Sequence, residues 1–277
     1  MLFHRIKEPL KRSCMDIQQY LERIGYRGTA ACDIDTLIAL VECHVRKVPF
    51  EDLDIQAGIP IALDTKAFFE KVVLNRRGGY CYELNGLFCA LLRSLGFEVH
   101  MLSARVANGK DYADEYDHMA LVVVLDSEQW LVDVGFGDFS LKPLQISNEE
   151  LQSDGRNKYL IKKVLVDRGE YYSVDRWNEG RDMYVTQYIF SLEYHPLEDF
   201  AARNLYQHTD PNSHFTKNLL CSLPTDTGRV SMINNRMIYT EHGEKQEEAI
   251  KDEIHREEML SKYFNIQMRA VYKCSMV

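Results

Sequence analysis

Seven cysteines and nine histidines are spread along this 277-residue chain, and one cysteine stands in a run suited to nucleophilic chemistry. Cys81 follows Arg76-Arg77-Gly78-Gly79-Tyr80 and opens the segment CYELNGLFCALLRSLG (81–96). Leu84, Leu87, Phe88, Leu91, Leu92 and Leu95 recur there at helical spacing, and Gly96 closes the run. The two glycines are expected to let the chain turn sharply before the helix. Cys81 then falls in the first turn, on the inward stripe. Free backbone N–H groups and the positive end of the helix dipole stabilise a thiolate there. The same N–H groups could hold an oxyanion. Taken alone, a cysteine on an apolar stripe is a small core residue, which is how Cys43 and Cys89 are read. What sets Cys81 apart is the RRGG run before it and two residues downstream.

His118 opens HMALVVVL (118–125), and Asp133 lies inside QWLVDVGF (129–136). Both segments read as strands. A two-residue loop at Asp126-Ser127 would pair Leu125 with Glu128 and Ala120 with Asp133. His118 and Asp133 then become diagonal neighbours on one face, roughly 7–8 Å apart at the backbone. A slip in register would separate them. An aspartate between Val132 and Val134 must be paired, and orienting an imidazole is one solution. The expected site is therefore a Cys81 nucleophile, a His118 base and an Asp133 that holds the base. His44 is read as a structural histidine. The histidines at 195, 208, 214, 242 and 255 lack metal-ligand spacing, and Gly135-Phe136-Gly137 is too short for a dinucleotide fingerprint. The polar loop running from Asn204 through Pro211-Asn212-Ser213-His214-Phe215 is a candidate ligand entrance.

The elements that must position these residues change in period along the chain. Helices are expected over 15–26, ending at Gly28; over 35–48, behind an Asp35 N-cap; over 63–73; and over 81–96. Strands follow over 97–106, 118–125, 129–136, 158–166, 170–177 and 183–194, with a turn at Asp167–Gly169. A short helix over 196–207, strands near 229–240 and an acidic amphipathic helix over Lys245–Phe264 complete the pattern. Hydrophobic residues make up 45% and the net charge is -9. That acidity argues against a nucleic-acid or anionic-membrane partner. An odd, irregular cysteine set without CxxC fits neither a disulfide framework nor a zinc cage. MLFHRIKEPLKRSCM has no signal-peptide core, and no stretch of about 18 apolar residues exists to span a membrane. These features predict a reduced, cytoplasmic protein.

With PFEDLDI (49–55), RRGGYCYELNGLF (76–88), DHMALVV (117–123), LVDVGFG (131–137) and the pattern from Asp199 to Phe215, the chain resembles the arylamine N-acetyltransferases. The resemblance implies an α+β fold with a cysteine-protease-like core. A helical bundle (1–97) would carry the nucleophile, an antiparallel β-barrel (98–200) the His and Asp, and an α/β lid (201–277) would follow. The family's triad falls on Cys81, His118 and Asp133. Its reaction has two steps: acetyl-CoA acetylates the cysteine, then an arylamine or arylhydrazine takes the acetyl group. Acetyl-CoA is a co-substrate, and no metal or tightly bound cofactor is implied. Phe136 resembles the aromatic wall of the acceptor pocket, and Tyr80, Gly135 and Gly137 are grouped with it as substrate-binding. The chain has Asp52 where the family usually has Asn. It has Asp114-Glu115-Tyr116-Asp117 where small residues often lie near CoA. The competing readings are an amide synthase of the same family, a Cys-His-Asp hydrolase or transglutaminase-like enzyme, and a silent binding module.

Overall fold

Aspartates start the first helices. Asp16 accepts the N–H of Gln19 and opens α1 (Ile17–Ile24); Asp33 accepts that of Thr36 and opens α2 (Ile34–Lys47). The bounds differ from the expected ones. Gly25, with φ 74°, caps α1 before Gly28 is reached, and Asp33 rather than Asp35 caps α2. The structure is a computed structural model that describes residues 15–268. The stretch read as lacking a signal peptide (1–14, with Cys14) and Cys274 lie outside the described residues.

Next come β1 (Phe50–Glu51), α3 (Leu53–Gln56), α4 (Thr65–Phe69) with a π-helical turn after it, and α5 (Cys81–Ser94). Leu84, Leu87, Phe88, Leu91 and Leu92 of α5 are fully buried, as their spacing requires. The glycines before α5 do not supply the turn. Neither has a positive φ, and Arg76 (φ 52°) takes the left-handed position instead. Gly78 is needed for close approach: a Cβ there would stand 2.0 Å from the carbonyl oxygen of Pro49. The RRGG run is thus pressed against the strand that begins at Phe50.

The β region holds β2 (Glu98–Asn108), β3 (Asp111–Tyr112), β4 (His118–Leu125), β5 (Glu128–Val132), β6 (Leu144–Gln145), β7 (Gln152–Ser153), β8 (Lys158–Val166), β9 (Gly169–Asn178) and β10 (Met183–His195). They form one antiparallel sheet in the order β6-β5-β4-β2-β10-β9-β8-β7, with β3 beside β2. Gln152 ties its two ends together. Its Oε1 accepts the Gln145 N–H at 2.7 Å, and its Nε2 donates to the Gln145 carbonyl at 2.9 Å. The result is a nearly closed barrel. Alternation along β4 divides two cores: Met119, Leu121 and Val123 pack toward the helices, whereas Ala120 and Val122 face the barrel interior.

A short 3-10 turn leads to α6 (Ala201–Thr209) and α7 (His214–Lys217), then β11 (Leu220–Pro224), β12 (Gly228–Ile233), β13 (Arg236–Glu241), β14 (Glu244–Ala249) and α8 (Glu253–Phe264). The second sheet runs β1-β11-β12-β13-β14, so its first strand comes from the helical segment. The helix expected over Lys245–Phe264 is half strand. His242 and Gly243 both take positive φ and form a tight hairpin turn, which commits Glu244–Ala249 to pairing with β13. The helix starts only behind Asp252, which accepts the His255 N–H. The architecture is α+β, as the resemblance implies. No helix among the described residues is long and apolar enough to cross a membrane.

Candidate active site

The β4–β5 hairpin has the expected register, with Leu125 opposite Glu128. Asp126 (φ 50°) and Ser127 (φ 69°) both take the left-handed region that a two-residue turn needs. Asp133 is not inside the strand, however. β5 ends at Val132. The Asp133 Oδ1 accepts the N–H of Gly135 at 3.0 Å, a local turn that pulls the chain out of the ladder. The Asp133 Oδ2 lies 2.7 Å from the His118 Nε2. A carboxylate only accepts, so Nε2 carries the proton and Nδ1 keeps the free lone pair. Both residues are about 3% exposed.

Cys81 is equally buried, and with His118 it lines a cavity of about 440 Å3. The residue after His118 acts on Cys81: the Met119 N–H, like the Tyr82 N–H, favours the charged sulfur. Burial pushes the Cys81 thiol well above its ordinary value. The Met119 and Tyr82 N–H groups pull against this, and the charges of Asp117 and Asp133 add to it. The thiolate stabilisation expected from the helix start is therefore outweighed by desolvation. Passing the proton to His118 instead gives an ion pair with no net charge, which burial penalises far less.

Asn85 escaped the sequence reading. It stands one turn after Cys81 on α5 and is fully buried. Its Nδ2 donates to the Asp133 Oδ1 at 2.9 Å and to the Met119 carbonyl at 2.6 Å; its Oδ1 accepts the Val134 N–H at 2.9 Å. One side chain thus binds the helix of Cys81 to both barrel segments. The available signal was a polar residue among Leu84, Leu87 and Phe88, the same argument that singled out Asp133. Tyr188 was also missed. Its ring lies 5.3 Å from that of His118, and burial, then the charge of Asp133, pushes its phenol well up.

The residues grouped as substrate-binding are placed unequally. Phe136 and Gly135 line the cavity, with the Phe136 ring edge-on to His118 at 5.1 Å. Gly135 also faces α5, where a Cβ would stand 2.9 Å from the Cys81 Cα. Gly137 lies against Phe50 in a neighbouring crevice. Tyr80 is fully buried outside the cavity lining, its hydroxyl bonded to Asn204 and its ring against Tyr82 and Phe215. From the polar loop, Asn212, Ser213, His214 and Phe215 reach the cavity. His44 is a core residue: its Nδ1 bonds to the Tyr20 hydroxyl at 3.0 Å, and burial lowers its pKa to about 3. Among the described residues, no group of three or more His, Cys, Asp or Glu side chains could hold a metal ion.

Helix α5 is anchored by an ion network. Arg77 grips Glu51 through Nε at 2.9 Å and Nη2 at 3.0 Å, and its Nη2 also reaches Asp54 at 2.9 Å. Lys71 bridges Asp54 and Glu83, each at 2.8 Å. The Glu83 carboxylate in turn accepts the Tyr80 N–H at 3.1 Å and caps the helix that begins with Cys81.

An N-acetyltransferase family model matches residues 33–272. A pineal-gland arylamine N-acetyltransferase isozyme of Gallus gallus is 32% identical over 280 residues, covering 92% of this chain and 95% of that protein. The chain belongs to the arylamine N-acetyltransferase family. The arylamine N-acetyltransferase of Mycolicibacterium smegmatis is 36% identical over 225 residues, covering 79% of this chain and 80% of its own. Two solved arylamine N-acetyltransferases superpose over most of their length. That of M. tuberculosis has a TM-score of 0.85 at 30% identity, covering 94% of this chain and 99% of its own. That of Mycobacterium marinum, solved in complex with CoA, has a TM-score of 0.83 at 28% identity, covering 94% and 98%.

Proposed function

We propose that this arylamine N-acetyltransferase carries an acetyl group from acetyl-CoA to an arylamine or arylhydrazine through an acetyl-Cys81 intermediate. The observation that carries the reading is the 2.7 Å contact of His118 and Asp133 at a cavity that Cys81 also lines. In the first half-reaction, the His118 Nδ1 takes the Cys81 proton and the sulfur attacks the thioester carbonyl. The Met119 and Tyr82 N–H groups, which favour negative charge at the sulfur, are the candidate oxyanion donors. The C–S bond to CoA breaks, and the CoA sulfur leaves with the proton from His118. In the second half, the amine nitrogen attacks the acetyl-Cys81 carbonyl, His118 accepts a proton from that nitrogen, and the thiolate departs. Asp133 holds the imidazole tautomer and steadies the imidazolium in both halves.

The cavity favours an aromatic acceptor. Phe50, Phe136, Phe215 and Leu220 supply apolar wall against which an aromatic ring can pack. A reducing cytoplasm suits a mechanism that needs a free thiol, and Cys32, Cys43, Cys81, Cys89 and Cys221 are all free. The test is CoA release from acetyl-CoA with and without an arylamine, for the wild type, Cys81→Ser and Asp133→Asn. Amine-dependent release by the wild type alone supports the reading. Release that ignores the amine points to a hydrolase, and turnover only with longer acyl-CoA esters points to an amide synthase.

A further inference from the structure

Asp117, the residue before His118, puts a carboxylate into the cavity wall. Three donors from one face of α6 converge on its Oδ1: Arg203 Nε at 3.1 Å, Arg203 Nη2 at 2.5 Å and Gln207 Nε2 at 2.9 Å. The Arg203 Nη1 reaches the Asp114 Oδ2 at 3.1 Å, and the guanidinium lies 4.4 Å over the Tyr206 ring. Gln207 is itself fixed, since its Oε1 accepts the Ser213 hydroxyl at 2.8 Å. The acidic 114–117 segment, the family departure beside the base, is thus met by an arginine of the helix that covers the cavity. The other carboxylate of that loop, Glu115, is occupied elsewhere by Ser103 and Tyr171.

Arg203 and Asp117 line the same cavity as Cys81, and both are mostly buried, at 18% and 14% side-chain exposure. Without the arginine, Asp117 would leave an unbalanced negative charge in that wall. We propose that the Arg203–Asp117 pair sets donor specificity, its mutual neutralisation keeping the wall beside Cys81 open to an anionic acyl donor. The proposal rests on reading the cavity as the site of acetyl-CoA, whose phosphates make it such a donor. It assigns a purpose to the arginine that the acidic loop alone would not suggest. The charge of Asp117 also acts on the Cys81 sulfur, consistent with a short path between them.

The test uses two alkylating probes of similar size on the full chain: anionic iodoacetate and neutral iodoacetamide. Their rates are read at the Cys81 peptide by mass spectrometry, and the ratio cancels the intrinsic reactivity of the thiol. Arg203→Ala is expected to lower the iodoacetate-to-iodoacetamide ratio several-fold, as one unbalanced charge in a partly desolvated wall should. Asp117→Asn should raise it, and the double variant should return near the wild-type ratio. At about 1 M salt, with a screening length of roughly 3 Å, the differences should shrink. A purely structural pair would move both variants the same way or leave the ratio unchanged, and either result overturns the proposal. If Arg203→Ala exposes the buried Cys89 to label, Asp117→Asn decides alone: a raised ratio supports the proposal and an unchanged one overturns it. The ratio needs no acyl transfer, so a wild type inactive with acetyl-CoA would refute the proposed function without touching this readout.

Discussion

Replacing Asp52 with asparagine should make the protein more stable, by an amount that grows with pH. Asp52 is 1% exposed; its Oδ1 accepts the Leu220 N–H at 2.7 Å, whereas its Oδ2 has no hydrogen-bond partner. Burial pushes its carboxyl well above the ordinary carboxylate range; the Leu220 N–H opposes this, and the charge of Glu51 adds to it. In the unfolded chain the group ionises near pH 3.9, so above that pH the folded state holds a proton that the unfolded state has lost. The stability that Asp52 contributes is complete below the unfolded pKa and is lost as pH rises, at up to about 1.4 kcal/mol per pH unit, until the folded carboxyl ionises. Asparagine stays neutral and keeps an acceptor for Leu220. Its amide nitrogen meets the same partnerless position, so the comparison isolates the charge. Urea unfolding at pH 4, 5, 6, 7 and 8 should show the two proteins nearly equal at pH 4 and a gap that widens above it. A gap that does not change with pH, or an asparagine variant less stable at pH 8, would refute the reasoning.

Asn85→Ala should lose roughly 3–5 kcal/mol, because it strips a donor from buried Asp133 and orphans the Met119 carbonyl and the Val134 N–H. Single-turnover acetylation should slow with little change in donor affinity; a wild-type rate would remove Asn85 from the account. Gly135→Ala puts a Cβ 2.9 Å from the Cys81 Cα and 3.0 Å from its carbonyl oxygen. Neither backbone atom can swing aside, so about 1–3 kcal/mol of stability should go, and acetylation should slow at least tenfold; melting and rate are read on one preparation. Arg77→Met leaves Glu51 and Asp54 short of a cation in the core. It should destabilise by about 3–5 kcal/mol in urea unfolding, and a loss below 1 kcal/mol would show that Lys71 alone balances the cluster.

The parts of the site that follow from local rules were legible. A two-residue loop with polar residues fixes a hairpin register, and that register brings His118 and Asp133 together. Five leucines and a phenylalanine at helical spacing leave no alternative to a buried α5, so Cys81 had to lie at its start. What depends on long-range contact was not legible. Gly78 looks like a turn residue, and only the fold reveals Pro49 pressed against it. The strand Glu244–Ala249 has a helix-forming composition, yet a positive-φ turn and an available edge on β13 override that preference. Asn85 needed a partner before its polarity had meaning, and that partner lies 48 residues downstream. The charge of the 114–117 loop was visible, but its neutralisation by Arg203, 86 residues beyond Asp117, was not.

The account turns on Cys81 as the carrier of the acetyl group. Intact-protein mass spectrometry after brief exposure to acetyl-CoA tests this most directly. The wild type should gain the mass of one acetyl group, mapped to the Cys81 peptide, absent in Cys81→Ser and lost again when an arylamine is added, with acetylated amine appearing in equal amount. No adduct, an adduct on another residue, or an adduct that survives both the arylamine and the Cys81→Ser substitution would contradict the account.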